Sequence, residues 1–207
     1  MDSGANRRWD ERYAREDYLF GEEPNAFLGS CRDVVRQHRR ALAIADGEGR
    51  NGVWLAEQGL DVTSFDASPV AVDKARKLAA KRGVTMHARV SDAVGFDWSA
   101  ERFDLVVAIF IQFATPPLRK LIFTGIRDVL EPGGRLILEG YRPEQIAYGT
   151  GGPSQPEHLY DRDMLTMAFA DFDIEHLEER DVVIEEGSGH RGMSAVIDLI
   201  ARKPAKA

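Results

Sequence analysis

Short apolar runs alternate with segments of helical periodicity through the middle of the chain. Five runs have the length of a β-strand and lie at 41–45, 61–65, 84–90, 103–111 and 135–140. Apolar residues recur at helical spacing at 50–58, 69–81 and 116–130. Strands that alternate with helices need crossover connections, which place the strands in parallel and cover both faces of the sheet. The pattern predicts a doubly wound, Rossmann-like α/β fold.

The two ends of the chain follow other patterns. Residues 172–179 and 192–202 predict two longer strands joined by a turn-rich segment, so we expect an antiparallel pair at the sheet edge. The complete sheet would then have seven strands, mostly parallel, with an antiparallel final strand. The first 40 residues predict two helices, at about 6–15 and 24–38. We expect one domain over residues 1–207, with 1–40 as a helical cap and 41–207 as the core.

Composition and charge narrow the class of protein. The net charge of −7 argues against general binding to the phosphate backbone of nucleic acids. The longest apolar run, 105–111, is far shorter than the roughly 20 residues that cross a bilayer, and the N-terminus does not resemble a secretory signal. The single cysteine, Cys31, excludes an internal disulfide. We therefore expect a cytoplasmic protein without a membrane or nucleic-acid partner, whose oligomeric state the sequence leaves open.

A glycine-rich loop follows the first predicted strand. The stretch IADGEGRNG carries the spacing G-x-G-x-x-G at Gly47, Gly49 and Gly52. Such a loop lets backbone N–H groups at the start of a helix approach a nucleotide or nucleoside. Asp66, at the end of the second strand, stands where a carboxylate accepts the hydroxyls of a ribose. A tight strand-to-helix turn that binds nothing would also need these glycines. Together with Asp66, the spacing favours a bound cofactor but does not identify which one.

Charge distinguishes two candidate cofactors for this loop. A nicotinamide dinucleotide would place its pyrophosphate beside Asp46 and Glu48, and such like charges repel strongly in a partly desolvated site. S-adenosylmethionine has no phosphate, and its ammonium and sulfonium suit acidic neighbours. Arg50 is then expected to pair with its single carboxylate. The loop favours S-adenosylmethionine.

The sequence resembles the class I S-adenosylmethionine-dependent methyltransferases over nearly its whole length. The resemblance rests on ALAIADGEGRNGVWLAEQGLDVTSFDASPVAVDKAR, on SDA after the third strand, on FDLVV in the fourth and on VLEPGGRLIL leading into the fifth. The segments WDERYAREDYLFGEEPNAFL and YGTGGP resemble a small-molecule branch that includes tellurite-resistance and thiopurine methyltransferases. Family members usually carry an acid where Ala43 stands and a glycine where Ala45 stands. Asp46 is expected to hold the methionyl ammonium instead.

This resemblance implies methyl transfer from S-adenosylmethionine to a small molecule, and it implies a set of cofactor contacts. Gly47 and Gly49 would line the methionyl portion, and Asp66 would hold the ribose. The other implied contacts are Ala67 and Ser68 beside the adenine, Asp92 and Ala93 at its amino group, and Ile109 beside the sulfonium.

The expected acceptor contacts are aromatic residues and a histidine from the N-terminal segment and from the loop after the fifth strand. They are Trp9, Tyr13, Tyr18, Phe20, Tyr141, Tyr148, His158 and Tyr160. His190, in the tail, is a further residue that could reach this rim or lie in solvent. No catalytic triad, metal-ligand set or carboxylate pair stands out, and methyl transfer from a sulfonium needs mainly alignment. We therefore expect a soft or readily deprotonated acceptor, such as a thiol or a selenium or tellurium oxyanion.

Two other functions stay open at this point. The literal glycine spacing also allows an NAD(P)-dependent oxidoreductase. Ala43 and Ala45, which depart from the family pattern, also allow a non-catalytic module that binds a nucleoside.

Overall fold

The computed structural model describes residues 3–205, and a twisted sheet lies at its centre. The strands are β1 Arg40–Ile44, β2 Asp61–Asp66, β3 His87–Val90, β4 Phe103–Ile109, β5 Leu130–Tyr141, β6 Asp173–Glu186 and β7 His190–Arg202. They pair in the order β3-β2-β1-β4-β5-β7-β6. The first five are parallel, and β7 runs antiparallel to both β5 and β6. The predicted fold class is confirmed, including the antiparallel final strand.

Helices connect the strands and cover both faces of the sheet. They are α1 Ser3–Tyr13, α2 Ala26–Ser30, α3 Arg32–Val35, α4 Arg50–Glu57, α5 Pro69–Arg82, α6 Pro116–Val129, α7 Gln145–Tyr148 and α8 Arg162–Ala168. The start of α5 shows why the sequence folds this way. Ser68 accepts the N–H of Ala71 on its hydroxyl and Pro69 fixes the first turn, while Gly83 ends the helix in a left-handed conformation.

Residues pointing to opposite faces of the strands form two packed layers. On one face Leu42, Phe65 and Val106 belong to a core cluster that includes residues of α6 and α8. On the other face the cluster contains Ala41 and Leu105 together with residues of α2 and α4. With both faces covered, the carboxyl ends of the parallel strands form the edge that is open to a ligand. Among the described residues, no helix is long and apolar enough to span a membrane.

Two predicted elements differ from the structure. The helix predicted at 24–38 bends at Cys31, whose N–H donates to the carbonyls of Phe27 and Leu28, so it becomes α2 and α3. The tail strands are longer than predicted and meet in a tight turn at 187–189. In the second half of β6 the three apolar residues 182–184 stand between charged pairs at 180–181 and 185–186, so apolar alternation does not mark that part of the strand.

Candidate cofactor and acceptor site

The glycine loop between β1 and α4 is shaped by close contacts. Gly47 and Gly49 have φ angles of 56° and 88°, in the left-handed region that favours glycine. A Cβ added to Gly49 would come within 2.6 Å of the Cβ of Ala75 in α5. A Cβ on Gly52 would come within 2.4 Å of the Asp46 carboxylate. All three glycines of the predicted spacing are therefore required by the local geometry.

Asp46 follows β1 and faces the start of α4. Its carboxylate accepts the N–H of Gly52, with N–O distances of 3.1 and 3.2 Å. Burial raises the pKa of Asp46 to about 7, the hydrogen bond from Gly52 lowers it in part, and the negative charge of Asp66 adds to the increase. The carboxyl group is therefore sensitive to any positive charge brought into the loop.

Asp66 lies where β2 meets the glycine loop. One carboxylate oxygen accepts the N–H of Gly47 at 3.0 Å, and the other accepts the N–H of Ser68 at 2.9 Å. Burial raises the pKa of Asp66 to about 6, although both hydrogen bonds lower it. A carboxylate oxygen can accept more than one hydrogen bond, so each retains capacity for a hydroxyl.

Glu48 and Arg50 have partners outside the loop. Glu48 forms an ion pair with Lys74 and accepts the N–H of Leu19 at 2.7 Å. Arg50 lies 2.7 Å from a carboxylate oxygen of Glu186, the last residue of β6. The structure therefore gives Arg50 a protein partner in place of the predicted cofactor carboxylate. Glu48 is likewise not an unpaired acid facing the ligand, because Lys74 neutralises it.

The distribution of charge in the loop limits what it can bind. The cations Arg50 and Lys74 are already paired with acids, whereas no Lys, Arg or His within residues 3–205 forms an ion pair with Asp46 or Asp66. Two buried carboxyl groups without such partners favour a cationic ligand and oppose a pyrophosphate. This arrangement fits the ammonium and sulfonium of S-adenosylmethionine, with the predicted Asp46 as the available acid, whereas Glu48 and Arg50 are paired within the protein.

The N-terminal segment lies across the loop. The hydroxyl of Tyr13 would be 2.8 Å from a Cβ on Gly47, so the phenol covers the glycine directly. Ser68 donates its hydroxyl to Asp10 at 2.5 Å. Lys74 donates to the carbonyl of Asp17 at 2.7 Å, which fixes the end of the segment to α5. Residues 9–20 therefore form a cover over the candidate cofactor site.

Trp9 and Tyr18, two of the predicted acceptor contacts, belong to this cover. The rings of Trp9 and Tyr13 stack with centroids 5.5 Å apart. The hydroxyl of Tyr18 donates to the backbone carbonyl of Lys74 at 3.1 Å. These contacts join the cover to itself and to α5, and Trp9 also packs near Phe20.

Four rings form a ring cluster where the cover ends, at the carboxyl ends of β4 and β5. They belong to Phe20, Phe110, Tyr141 and His190. His190 has its ring centroid 4.4 Å from that of Phe20 and 4.5 Å from that of Phe110. The Phe110 ring lies 4.6 Å from that of Tyr141. Phe110 has a φ of 52°, a strained conformation for a bulky residue that is often found at functional sites. Gln112 holds Tyr141 through hydrogen bonds to its backbone N–H and carbonyl.

Glu186 lies beside His190 at the end of the β6–β7 hairpin. Its carboxylate is 3.9 Å from Nδ1 of His190. Burial raises the pKa of Glu186, but the interaction with His190 and the charge of Arg50 outweigh it and lower the pKa to about 2. Burial lowers the pKa of His190, and Glu186 opposes that change in part. The sequence did not identify Glu186 or Phe110, because their partners are remote in the chain.

Three other predicted acceptor contacts lie elsewhere. Tyr160 is fully buried in the core against Phe123, so its side chain is not part of the site surface. Tyr148 is exposed and donates to Asp181 on β6. His158 belongs to a short 3₁₀ helix, Pro156–His158, and its backbone carbonyl lies 3.5 Å from the side-chain amide of Gln112. None of these three side chains contacts the rings around His190.

The predicted adenine and sulfonium contacts are mostly buried by protein. Asp92 accepts the N–H groups of Val94 and Gly95 and so closes a turn after β3. Ala93 and Ile109 are buried in the two core clusters, so the backbone is what they offer a ligand. Within residues 3–205, the structure forms no cluster of three or more His, Cys, Asp or Glu side chains suited to a metal ion.

Sequence comparisons point to one family. Residues 41–134 match a family model described as a methyltransferase domain. Ribosomal protein L11 methyltransferase of Brucella suis is 34% identical over 157 residues, which cover 68% of this chain and 54% of that protein. An uncharacterised methyltransferase of Synechocystis is 28% identical over 106 residues, covering 51% of this chain and 48% of that protein. The chain spans about half the length of these curated relatives.

Solved structures share the fold. A protein studied for the conversion of a disulfide bond into a thioacetal group during echinomycin biosynthesis superposes with a TM-score of 0.79 at 19% identity, over 98% of this chain and 91% of its own. The N-methyltransferase NodS of Bradyrhizobium japonicum, in complex with S-adenosylhomocysteine, gives 0.70 at 17% identity, over 96% and 98%. TehB of Haemophilus influenzae gives 0.70 at 15% identity, over 96% and 66%. At these identities the likeness concerns the fold.

The strand order, the glycine loop and Asp66 define a Rossmann-like protein of the methyltransferase type. The family match runs from β1 to the start of β5 and includes that loop. Residues 41–134 therefore form a methyltransferase domain. S-adenosylmethionine is the cofactor of this class, which decides between the two cofactors considered for the loop.

Proposed function

We propose that this chain transfers a methyl group from S-adenosylmethionine to a small-molecule acceptor. The observation that carries the proposal is the pair of buried carboxyl groups, Asp46 and Asp66, which lack a cationic partner within residues 3–205 and border a loop covered by aromatic side chains. When bound there, S-adenosylmethionine supplies an activated methyl group on a sulfonium. The protein then contributes orientation and exclusion of water.

The proposed cofactor contacts follow the loop and the end of β2. Asp46 faces the methionyl ammonium, Gly47 and Gly49 allow the methionyl chain to approach the backbone, and Asp66 accepts the ribose hydroxyls. Around the adenine we propose Ala67, Ser68, Asp92 and Ala93, and at the sulfonium the backbone of Ile109. Arg50 acts indirectly, because it holds Glu186 beside the ring cluster.

The proposed acceptor site is the place where the cover meets the ring cluster. Phe20 belongs to the cover and contacts His190, so the two groups meet over the sheet edge. An acceptor there would be surrounded by aromatic rings. The net charge of −7 does not favour binding of an anionic polymer such as a nucleic acid. These features favour a small nucleophile, such as a thiol, over a nucleic acid. A protein acceptor is the main competitor, because a relative is described as a ribosomal protein methyltransferase.

The test has a binding stage and a turnover stage. Thermal unfolding with S-adenosylmethionine, S-adenosylhomocysteine and NADH should show stabilisation by the first two alone. Turnover is then measured as release of S-adenosylhomocysteine with thiols, chalcogen oxyanions, phenols, amines, ribosomal proteins and total RNA. We expect activity with a small molecule.

Each other result changes the conclusion in a specific way. Stabilisation by NADH alone would restore the oxidoreductase alternative. Binding of S-adenosylhomocysteine without turnover on any acceptor would indicate a non-catalytic nucleoside-binding module. Turnover confined to ribosomal protein or RNA would overturn the small-molecule acceptor while retaining the methyltransferase.

A further inference from the structure

We propose that His190 is the catalytic base of the methyl transfer and that Glu186 is its positioning residue. The inference rests on the proposed function and deepens it, because a base at this position implies an acceptor that still carries a proton on its nucleophilic atom. Neither residue is suggested by a local sequence motif. Both come from the β6–β7 hairpin, which lies beside the ends of β4 and β5.

The first support is the location of the imidazole. His190 contacts Phe20, a residue of the cover, and Phe110, the residue that follows β4. The ring centroids of Phe20 and Tyr13 are 6.3 Å apart. The hydroxyl of Tyr13 in turn lies over Gly47. A single aromatic ring therefore separates His190 from the side chain on the glycine loop. The imidazole is placed at the acceptor end of the cofactor site.

The second support is a buried nitrogen without a hydrogen bond. Nδ1 of His190 is buried with no hydrogen-bond partner. It lies 3.9 Å from Oε2 of Glu186, and the two side chains are 11% and 10% exposed. Buried polar atoms in this state are rare and call for an explanation. Catalytic hydrogen bonds are often long in unliganded proteins and tighten when the substrate binds.

Glu186 is held in the orientation this role requires. Its Oε1 accepts the N–H of Ala26 at 2.9 Å and the side-chain amide of Asn25 at 3.1 Å. The guanidinium of Arg50 lies 2.7 Å from Oε2. The carboxylate is therefore fixed by α2 and α4, and Oε2 faces His190. A small rotation of the imidazole would let Nδ1–H donate to Oε2, which leaves Nε2 unprotonated for the acceptor.

The charges around His190 keep the imidazole neutral. Burial lowers its pKa, and Arg50 on α4 and Arg12 on α1 act in the same direction, whereas Glu186 raises it. Tyr141 on β5 faces it as a neutral phenol, because burial raises the pKa of that hydroxyl. A neutral imidazole near pH 7 is able to accept a proton.

The proposed step conserves atoms and electrons. The acceptor atom attacks the methyl carbon while its proton passes to Nε2 of His190. The carbon–sulfur bond breaks and its electron pair stays on sulfur, which gives S-adenosylhomocysteine, the methylated acceptor and an imidazolium. The imidazolium then releases its proton to solvent. A thiol or a phenol that is protonated near pH 7 fits this step, because its nucleophilic atom keeps a lone pair, whereas an oxyanion would not need it.

The first experiment compares His190→Gln with wild type on an acceptor found in the turnover screen. General-base catalysis typically contributes about 10²–10⁴-fold, so we expect kcat near pH 7 to fall at least about 100-fold. Above the pKa of the acceptor, the loss should shrink, because the nucleophile is already deprotonated. Glu186→Gln should shift the pH profile. His87→Gln, in an exposed position on β3, is the matched control and should change nothing.

The second experiment needs no acceptor. Nitrogen-resolved NMR of His190 in the S-adenosylhomocysteine complex should show the Nδ1–H tautomer and a pKa below 6.5, and calorimetry should give similar S-adenosylhomocysteine affinity for wild type and His190→Gln. An Nε2–H tautomer, or an unchanged kcat and pH profile in His190→Gln, would overturn the base. Failure of wild type to bind S-adenosylhomocysteine would instead overturn the proposed function.

Discussion

Asp46 shows how one residue of the site is coupled to the stability of the fold. Burial raises its pKa from 3.8 to about 7, so the folded protein holds its proton more tightly than the unfolded chain does. A carboxyl group of this kind stabilises the fold while it is protonated. This stabilisation is complete at a pH below the pKa that Asp46 has in the unfolded chain. It is lost as the pH rises through the pKa that Asp46 has in the folded protein. The affected window therefore runs from about pH 4 to about pH 7.

We predict that Asp46→Asn removes this dependence. Asparagine keeps the size and an acceptor for the N–H of Gly52 but does not ionise. The free energy of unfolding of the variant relative to wild type should therefore increase as the pH rises from 5 to 7.5, without cofactor. Urea unfolding at several pH values measures it. Asp73→Asn, in an exposed position on α5, is the control, and an equally flat difference in both variants would contradict the assignment.

The sequence predicted the local structure around those candidate residues whose partners are near in the chain. Gly47, Gly49 and Asp66 could be identified because a strand, a turn and a helix start follow one another locally. Arg50 and Glu48 were assigned to the ligand, whereas their partners come from β6 and from the N-terminal segment. Only the assembled fold brings these charges together, so a local pattern could not predict the pairing.

The same distinction applies to whole elements. The central helices were predicted because caps such as Ser68 and Gly83 agree with the apolar spacing. The β6–β7 hairpin was predicted too short, because its outer half carries charged residues whose pairing depends on the partner strand. That outer half ends in Glu186 and His190. The part of the element that the pattern missed is therefore the part that reaches the site.

At the scale of elements, Lys74 ties the cover to α5, and its removal should release the cover. Its ammonium pairs with Glu48 and donates to the carbonyls of Arg15 and Asp17. Breaking a buried ion pair from one side typically costs about 3–5 kcal/mol, because the remaining charge stays buried. We predict that Lys74→Gln makes amides in 13–19 exchange hydrogen much faster than in wild type.

Hydrogen exchange read by mass spectrometry separates this local effect from general unfolding. Amides of β4 and β5 should keep more of their protection than those of 13–19. Lys77→Gln is the matched control, because Lys77 lies on the same helix in an exposed pair with Asp73, and exposed pairs contribute little. Equal exchange at 13–19 in wild type and Lys74→Gln would show that the ion pair does not hold the cover.

At the scale of the molecule, the cover and the turn of the β6–β7 hairpin meet over the open edge of the sheet. Leu19 accepts the N–H of Gly189 at 2.9 Å, so the cover contacts the turn of the β6–β7 hairpin. The ring contact between Phe20 and His190 extends that meeting point. The glycine loop lies beneath the cover, and the proposed acceptor site lies where the two segments meet. Unfolding of the cover would therefore open the candidate site to solvent even while the core stays folded.

The three tryptophans report on unfolding separately, since each lies in a different part of the fold. Trp9 belongs to the cover, Trp54 packs in the cluster with α2 and α4, and Trp98 packs against the opposite cluster. We predict that, without cofactor, Trp9 changes its fluorescence at a lower urea concentration than Trp54 and Trp98, because Trp9 packs in a small cluster separate from the two main core clusters. With saturating S-adenosylhomocysteine the three transitions should coincide, since the ligand binds between the cover and the loop and stabilises their contact. Variants with a single tryptophan, the other two replaced by phenylalanine, give the three curves. A Trp9 transition that stays early with the ligand bound would mean that the cover does not close the site.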